Sequence, residues 1–238
     1  MSFGTFINRT VQKTEEALRT SEKTPIDPEL VNLMGQSEMR KRWAKQLIQL
    51  TENMIRPNPA IRLEDSILKG LERTKERTSA SEQLGESMCL IGNEAGSSTP
   101  VGQSLNQFGN VETTMGRAQD VMIKEIDQKY IGWLRGYVES SCKQAEKERE
   151  KLEGKRLDLD RAKTKLRHAK DGDPKKQSYE MAVNEEQRLF DEQCKTAKQA
   201  QEKSISEFEK HVDALRAMIE IQYNYHKQCA EALKAAIS

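Results

Sequence analysis

The sequence predicts an all-α protein, a long antiparallel three-helix coiled-coil bundle rather than a rounded globule, and three observations lead there. Proline stands at 25, 28, 57, 59, 100 and 174 only, and between these breaks the apolar residues recur at helical spacing, with no segment alternating as a strand does. In the last segment Phe190, Cys194, Ala197, Ile205, Phe208, Val212, Leu215 and Ile219 keep to a repeat of about 3.5 residues, the mark of a coiled coil. Charged residues make up 32% of the chain and aromatics 5%, with a mean hydropathy of -0.83. Little apolar surface is left for a wide core, whereas long helices need only a narrow stripe.

The first element spans residues 1–22. Phe3, Phe6, Ile7, Val11, Ala17 and Leu18 fall within an arc of about 140° when projected at about 100° per residue. Arg9 and Arg19 lie opposite and Lys13 at the edge, so the segment reads as an amphipathic helix. At a lipid interface Phe3, Phe6, Ile7 and Val11 would each contribute up to about 1.5–3 kcal/mol at full burial, with Arg9 and Lys13 facing headgroups. The plain alternative is a structural helix packed on the bundle.

A second helix runs from Pro28 to Ile55, carrying Trp43, Leu47, Leu50 and Met54 on one stripe, until the string RPNP at 56–59 stops it. Residues of about 56–80 read as an insert in this helix. There Leu63, Ile67, Leu68 and Leu71 alternate with Arg62, Lys69 and Arg73, the composition of an interfacial helix. A short helical piece follows around Leu84 to Ile91. From residue 101 to 170 no proline interrupts the pattern, giving a rod of about 105 Å at about 1.5 Å per residue. The string DGDP at 171–174 reverses the chain, setting a hairpin tip at about 168–176 and a final helix to the end. Leu152, Leu159, Leu166 and Ala169 before the turn match the heptads after it, so the two arms zip together.

Around this tip, over residues 155–176, nine lysines and arginines face four aspartates. Lys163, Lys165, Arg167, Lys170, Lys175 and Lys176 are the candidates there for anionic headgroups, although a charge run is more often a solvated helix face. A third set of residues reads as a dimer seam: Trp43, Leu47, Leu50 and Met54; Leu105, Phe108, Met115 and Met122; Leu215, Ile219, Leu233 and Ile237. A single bundle would leave the ends of so long a rod uncovered, and a homodimer covers them.

Several classes are set aside. The net charge of +1 argues against a nucleic-acid partner. Cys89, Cys142, Cys194 and Cys229 are too scattered for a zinc site or disulfide framework, which suits a reducing cytosol. The start lacks the apolar run of a signal peptide and no stretch is long enough to span a bilayer, so membrane contact would be peripheral. His168, His211 and His226 are dispersed and no nucleotide or nucleophile motif occurs, so neither an enzyme nor a cofactor is expected.

Four strings, GTFINRTVQKTEEALRTSEKT at 4–24, RPNPAIR at 56–62, KLEGKRLDLDRAKTKLRHAK at 151–170 and QYNYHKQCAEAL at 222–233, resemble in order and spacing the corresponding blocks of endophilins, the first most like the B branch. The resemblance covers essentially the whole chain. It implies an N-BAR domain: an amphipathic helix over 1–24, a BAR domain over 25–238, and a crescent-shaped homodimer with a six-helix core. That module binds and bends anionic phospholipid membranes by scaffolding and helix insertion, as a cytoplasmic protein peripheral on membranes in trafficking and endocytosis. Two departures stand out. The chain stops at Ser238 without the Src-homology-3 domain that usually follows, so proline-rich partners would depend on one beyond it, and Gly132 stands near a position where the family places a helix-bending proline. The competing class is a coiled-coil homodimeric scaffold for protein partners without direct lipid binding.

Overall fold

A computed structural model describes residues 23–71 and 77–237, and every regular element among them is helical. The helix expected over 1–22, with Phe3, Phe6, Ile7, Val11, Arg9 and Lys13, lies outside the described residues, as do Arg73 and the side chain of Lys69.

Local chemistry sets the helix ends. Helix α1 (Pro28–Ile55) begins where Asp27 accepts from the Glu29 amide at 2.9 Å, and stops before Pro57. Helix α2 (Pro59–Gly70) opens with Asn58 accepting from the Ala60 amide at 2.9 Å. Helix α3 (Ala80–Glu94) carries a full capping box: Ser79 accepts from the Glu82 amide while Glu82 accepts from the Ser79 amide. Helix α4 (Pro100–Ile126) has Thr99 as its cap and proline in its first turn.

The helical stretch expected over 101–170 is present but not uniformly α-helical. After α4 come a π-turn (Asp127–Ile131), helix α5 (Gly132–Tyr137), a second π-turn (Val138–Cys142) and helix α6 (Lys143–His168). The Gly132 amide donates to the Asp127 carbonyl five residues back. A proline at 132 would remove that donor, so at this point the chain distorts its helix with a widened turn instead. Beyond the hairpin, helix α7 (Lys176–Glu209) and helix α8 (His211–Ile237) replace the single final helix expected, the pattern breaking at Lys210.

Two compact units form. The first joins residues 23–43 with Tyr137–Glu209. Its core is Leu30, Leu152, Leu159, Phe190 and Ala197, with Ile26, Met34, Val183 and Cys194 packed against them. The α6 and α7 heptads therefore meet as expected, while Leu166 and Ala169 are only half-buried. Polar groups are also sealed inside, several of them satisfied by one another. Gln201 bonds Ser37 and donates to the Ala145 carbonyl at 2.9 Å, and Tyr137 shares a 3.2 Å hydrogen bond with Ser204. Lys151 foremost, then Gln193, hold the buried Glu148 carboxyl below its usual range against the cost of burial.

A deeper pin lies on the same helix. The fully buried Asp160 accepts from the Thr24 amide at 2.9 Å, from the Thr24 hydroxyl and from Arg156 at 2.9 Å. Arg156 in turn holds Glu153 at 2.8 Å, and the Lys163 ammonium donates to the Thr24 hydroxyl at 3.0 Å. Arg156 belongs to the cationic run but is buried, so it contributes to the fold rather than to any surface.

The second unit joins Ala44–Gly136 with the chain from Lys210 onward. Here α3 and α4 approach backbone to backbone along glycines seven apart, Gly85 and Gly92 on one helix, Gly102, Gly109 and Gly116 on the other. A Cβ on Gly109 would sit 2.7 Å from both the Cys89 sulfur and the Gly85 carbonyl oxygen; one on Gly92 would sit 2.9 Å from the Gly102 oxygen. No side chain fits between these helices. Gly96, at φ 93°, turns the corner that joins them.

At the foot of this unit His211 is buried between the rings of Tyr130 and Trp133, each centroid 5.5 Å away, and its Nε2 lies 3.1 Å from the Tyr130 hydroxyl. Burial pushes the imidazole below its ordinary value. A depressed histidine leaves the folded state with fewer bound protons than the unfolded one, so stability is full above the ordinary histidine range and is lost as pH falls below it. Melting at pH 7.5 and 5.5 is expected to show a drop on acidification that is smaller in His211→Phe; an equal drop in both proteins would remove His211 as its source.

Candidate membrane-facing surfaces

In the first unit the basic tip is built by the end of α6, the turn and the start of α7. Gly172, at φ 86°, takes the left-handed conformation the reversal needs, and Asp173 closes it by accepting from the Lys175 amide at 2.8 Å. The candidate cations then separate into two groups. Lys165, Arg167, Lys170 and Lys175 are exposed, and none forms an ion pair among the described residues. Lys163 is half-buried at Thr24, and Lys176 pairs with the fully exposed Asp171 at 3.1 Å. Arg161 lies 3.6 Å from Asp158.

In the second unit the insert forms α2, where Leu63 and Ile67, with Leu71 just past the helix end, line up at intervals of four and are 65%, 56% and 61% exposed. Leu68 is half-buried. Such a row facing water is unfavourable, because each side chain keeps apolar area that burial would remove. Asp65, on the opposite side, is tied down by charge: Arg56 meets it at 3.0 Å and Arg77 meets it as well, while Arg77 also meets Glu64, on the flank of the row, at 2.7 Å. Arg62 donates to the carbonyls of Arg56 and Pro57 at 2.6 and 2.8 Å, so much of its guanidinium closes the corner between α1 and α2.

The seam residues divide by unit. Trp43, in the first, is exposed but leans on Phe208 with ring centroids 6.2 Å apart. In the second, Leu50, Met54, Phe108, Leu215, Ile219, Leu233 and Ile237 are exposed, while Leu47, Leu105, Met115 and Met122 are half-buried. Leu84, Leu90, Ile91 and Val101 add exposed apolar surface that the heptad reading passed over. The signal was present: those side chains lie on the two helices whose glycines recur every seventh residue, a spacing that commits one face to backbone contact and turns the other outward. Met122, Val121 and Glu125 of α4, with Ile221 and Tyr225 of α8, line an open groove of about 400 Å³. Among the described residues no helix is long and apolar enough to cross a membrane.

Comparison with known proteins bears on these surfaces. The family model described as BAR domain matches residues 5–238. Endophilin-B1 of Gallus gallus is 36% identical over 227 residues, covering 95% of this chain and 62% of that protein. Endophilin-B1 of Homo sapiens is 35% identical over 227 residues, covering 95% of this chain and 62% of that protein. Endophilin-B2 of Gallus gallus is 28% identical over 257 residues, 95% of this chain and 63% of that protein. The chain thus spans less than two thirds of the length of these relatives.

Proposed function

This chain belongs to the BAR-domain family, with endophilin-B proteins among its relatives, and from that premise we propose that it is a homodimeric module that binds anionic bilayers from their surface and induces or senses their curvature in membrane trafficking. The observation that carries the reading is α2. Its exposed Leu63 and Ile67 form one row with Leu71 just past the helix end, while Asp65 on the other side is fixed by ion pairs to Arg56 and Arg77, which suits a helix laid into the headgroup layer. Lys165, Arg167, Lys170 and Lys175 supply attraction to acidic lipid at the tip, each worth about 1 kcal/mol near a charged surface and weakened by salt.

Phe3, Phe6, Ile7 and Val11 are the second inserting group of the proposal, with Arg9 and Lys13 beside them; Arg62, Lys69, Arg73, Lys163 and Lys176 complete the headgroup set. The exposed apolar residues of α1, α4 and α8 are assigned to the dimer seam, because a lipid face needs cations interleaved with the apolar row and a seam does not.

The test is co-sedimentation with phosphatidylserine-rich vesicles followed by negative-stain microscopy. Reversal of Lys165, Lys170 and Lys175 to glutamate is expected to weaken binding by about 3 kcal/mol or more, beyond a hundredfold. Leu63→Glu with Ile67→Glu is expected to leave sedimentation partly intact while tubules disappear. Wild-type protein that forms a dimer and ignores the vesicles would sink the lipid reading in favour of a protein scaffold.

A further inference from the structure

A hydroxyl residue precedes proline twice in this sequence, at Thr24-Pro25 and Thr99-Pro100. The two sites differ in setting. Thr99 caps α4: it accepts from the Gly102 amide at 3.0 Å and donates to the Gly96 carbonyl at 2.8 Å, inside the tight corner between two helices. Thr24 lies in residues 23–27, which have no regular structure, and is half-exposed. Holding it are its own two donors to Asp160 and the Lys163 ammonium. Local detachment of such a stretch costs far less than opening a helix pair.

We propose that Thr24 is a phosphorylation site for a proline-directed protein kinase, and that the phosphate opens the pin between the root of the N-terminal segment and α6. In the transfer, the Thr24 oxygen bonds to the γ-phosphorus of ATP, the bond from that phosphorus to the β-phosphate oxygen breaks, ADP leaves, and the hydroxyl proton passes to the kinase's catalytic carboxylate. The product carries about −1.5 to −2 charge where a neutral donor stood. Asp160, itself fully buried, thereby loses its hydroxyl donor and gains a like charge at hydrogen-bond range. Lys163 offsets one unit of that charge. Arg156 is already committed to Asp160 and Glu153. Residues 23–27 therefore leave α6, and whatever precedes residue 23 loses its fixed point of departure.

The consequence for membranes rests on the function proposed above; the detachment does not. The purified full chain is treated with a mitogen-activated-type kinase and ATP, mapped by peptide mass spectrometry, and compared with the untreated chain by hydrogen–deuterium exchange. Phosphate on Thr24 with at least tenfold faster exchange over residues 23–27, and the same change in Thr24→Glu, is the expected result. Phosphate on Thr99 alone or on neither threonine, or phosphate on Thr24 with unchanged exchange, overturns it. Vesicle binding is read separately: an untreated chain that fails to bind would count against the membrane reading and leave the switch standing.

Discussion

Gly109→Val is expected to cause a large loss of stability in the second unit. The new Cβ would stand 2.7 Å from the Cys89 sulfur, 2.7 Å from the Gly85 carbonyl oxygen and 3.0 Å from the Met88 Cβ. Sulfur can swing away, but the carbonyl is part of helix α3 and moves only if the helix moves. Overpacking of this kind costs about 1–3 kcal/mol, and a branched side chain against backbone belongs at the upper end. At about 2–4 °C per kcal/mol for a chain of this size, the melting temperature is expected to fall by roughly 6–12 °C. Gly35→Ala is the control, since nothing lies within 4 Å of the position; it is expected to add about 0.5–1 kcal/mol by helix propensity alone. If Gly109→Val and Gly35→Ala melt alike, the close helix contact is not what holds α3 on α4.

The second large effect is expected at Asp160. Replacing it with alanine removes a buried carboxylate from the buried Arg156, which keeps its contact to Glu153, and strips the Thr24 amide and hydroxyl of their acceptor. Breaking one side of a buried pair costs about 3–5 kcal/mol, and the surviving Glu153 contact keeps the expectation near 3. Urea denaturation measures it. The double change Asp160→Leu with Arg156→Met is expected to recover much of the loss, because an apolar pair of similar volume needs no solvation. A double variant as weak as Asp160→Ala would show that the charges add more than mutual compensation.

Much of this architecture was legible in the residues. Pro28, the RPNP string and DGDP marked ends that no helix can ignore, and Leu152, Leu159, Phe190 and Ala197 announced the zipped arms by their spacing. Three things were not. The π-turns lack a residue signature, since a widened turn is stabilised by surrounding packing rather than by proline or glycine. Gly85, Gly92, Gly102, Gly109 and Gly116 did show a seven-residue period, but a heptad search weighs apolar side chains and passes over residues that have none. Arg156 and Asp160 are four apart on a helix rich in charge, where such pairs ordinarily face water; only the fold distinguishes a buried pair from a solvated one. Of the candidate surfaces, the exposure of Leu63, Ile67 and Leu71 and of Lys165, Lys170 and Lys175 follows the pattern read from sequence, that of Leu68, Lys163 and Lys176 does not, and what they contact is for the vesicle experiment to decide.

The two π-turns also matter for how such a chain tolerates change in length. A π-turn holds one more residue than the α-turn it replaces, so it works as a stored insertion. Without it, one added residue would swing every later position on that helix by about 100° and trade inward faces for outward ones. The stretches Asp127–Ile131 and Val138–Cys142 are therefore elastic points in an otherwise strict frame, where a residue can be lost by relaxing to an α-turn; in α4 and α6, whose glycines and leucines are counted in sevens, no such slack exists.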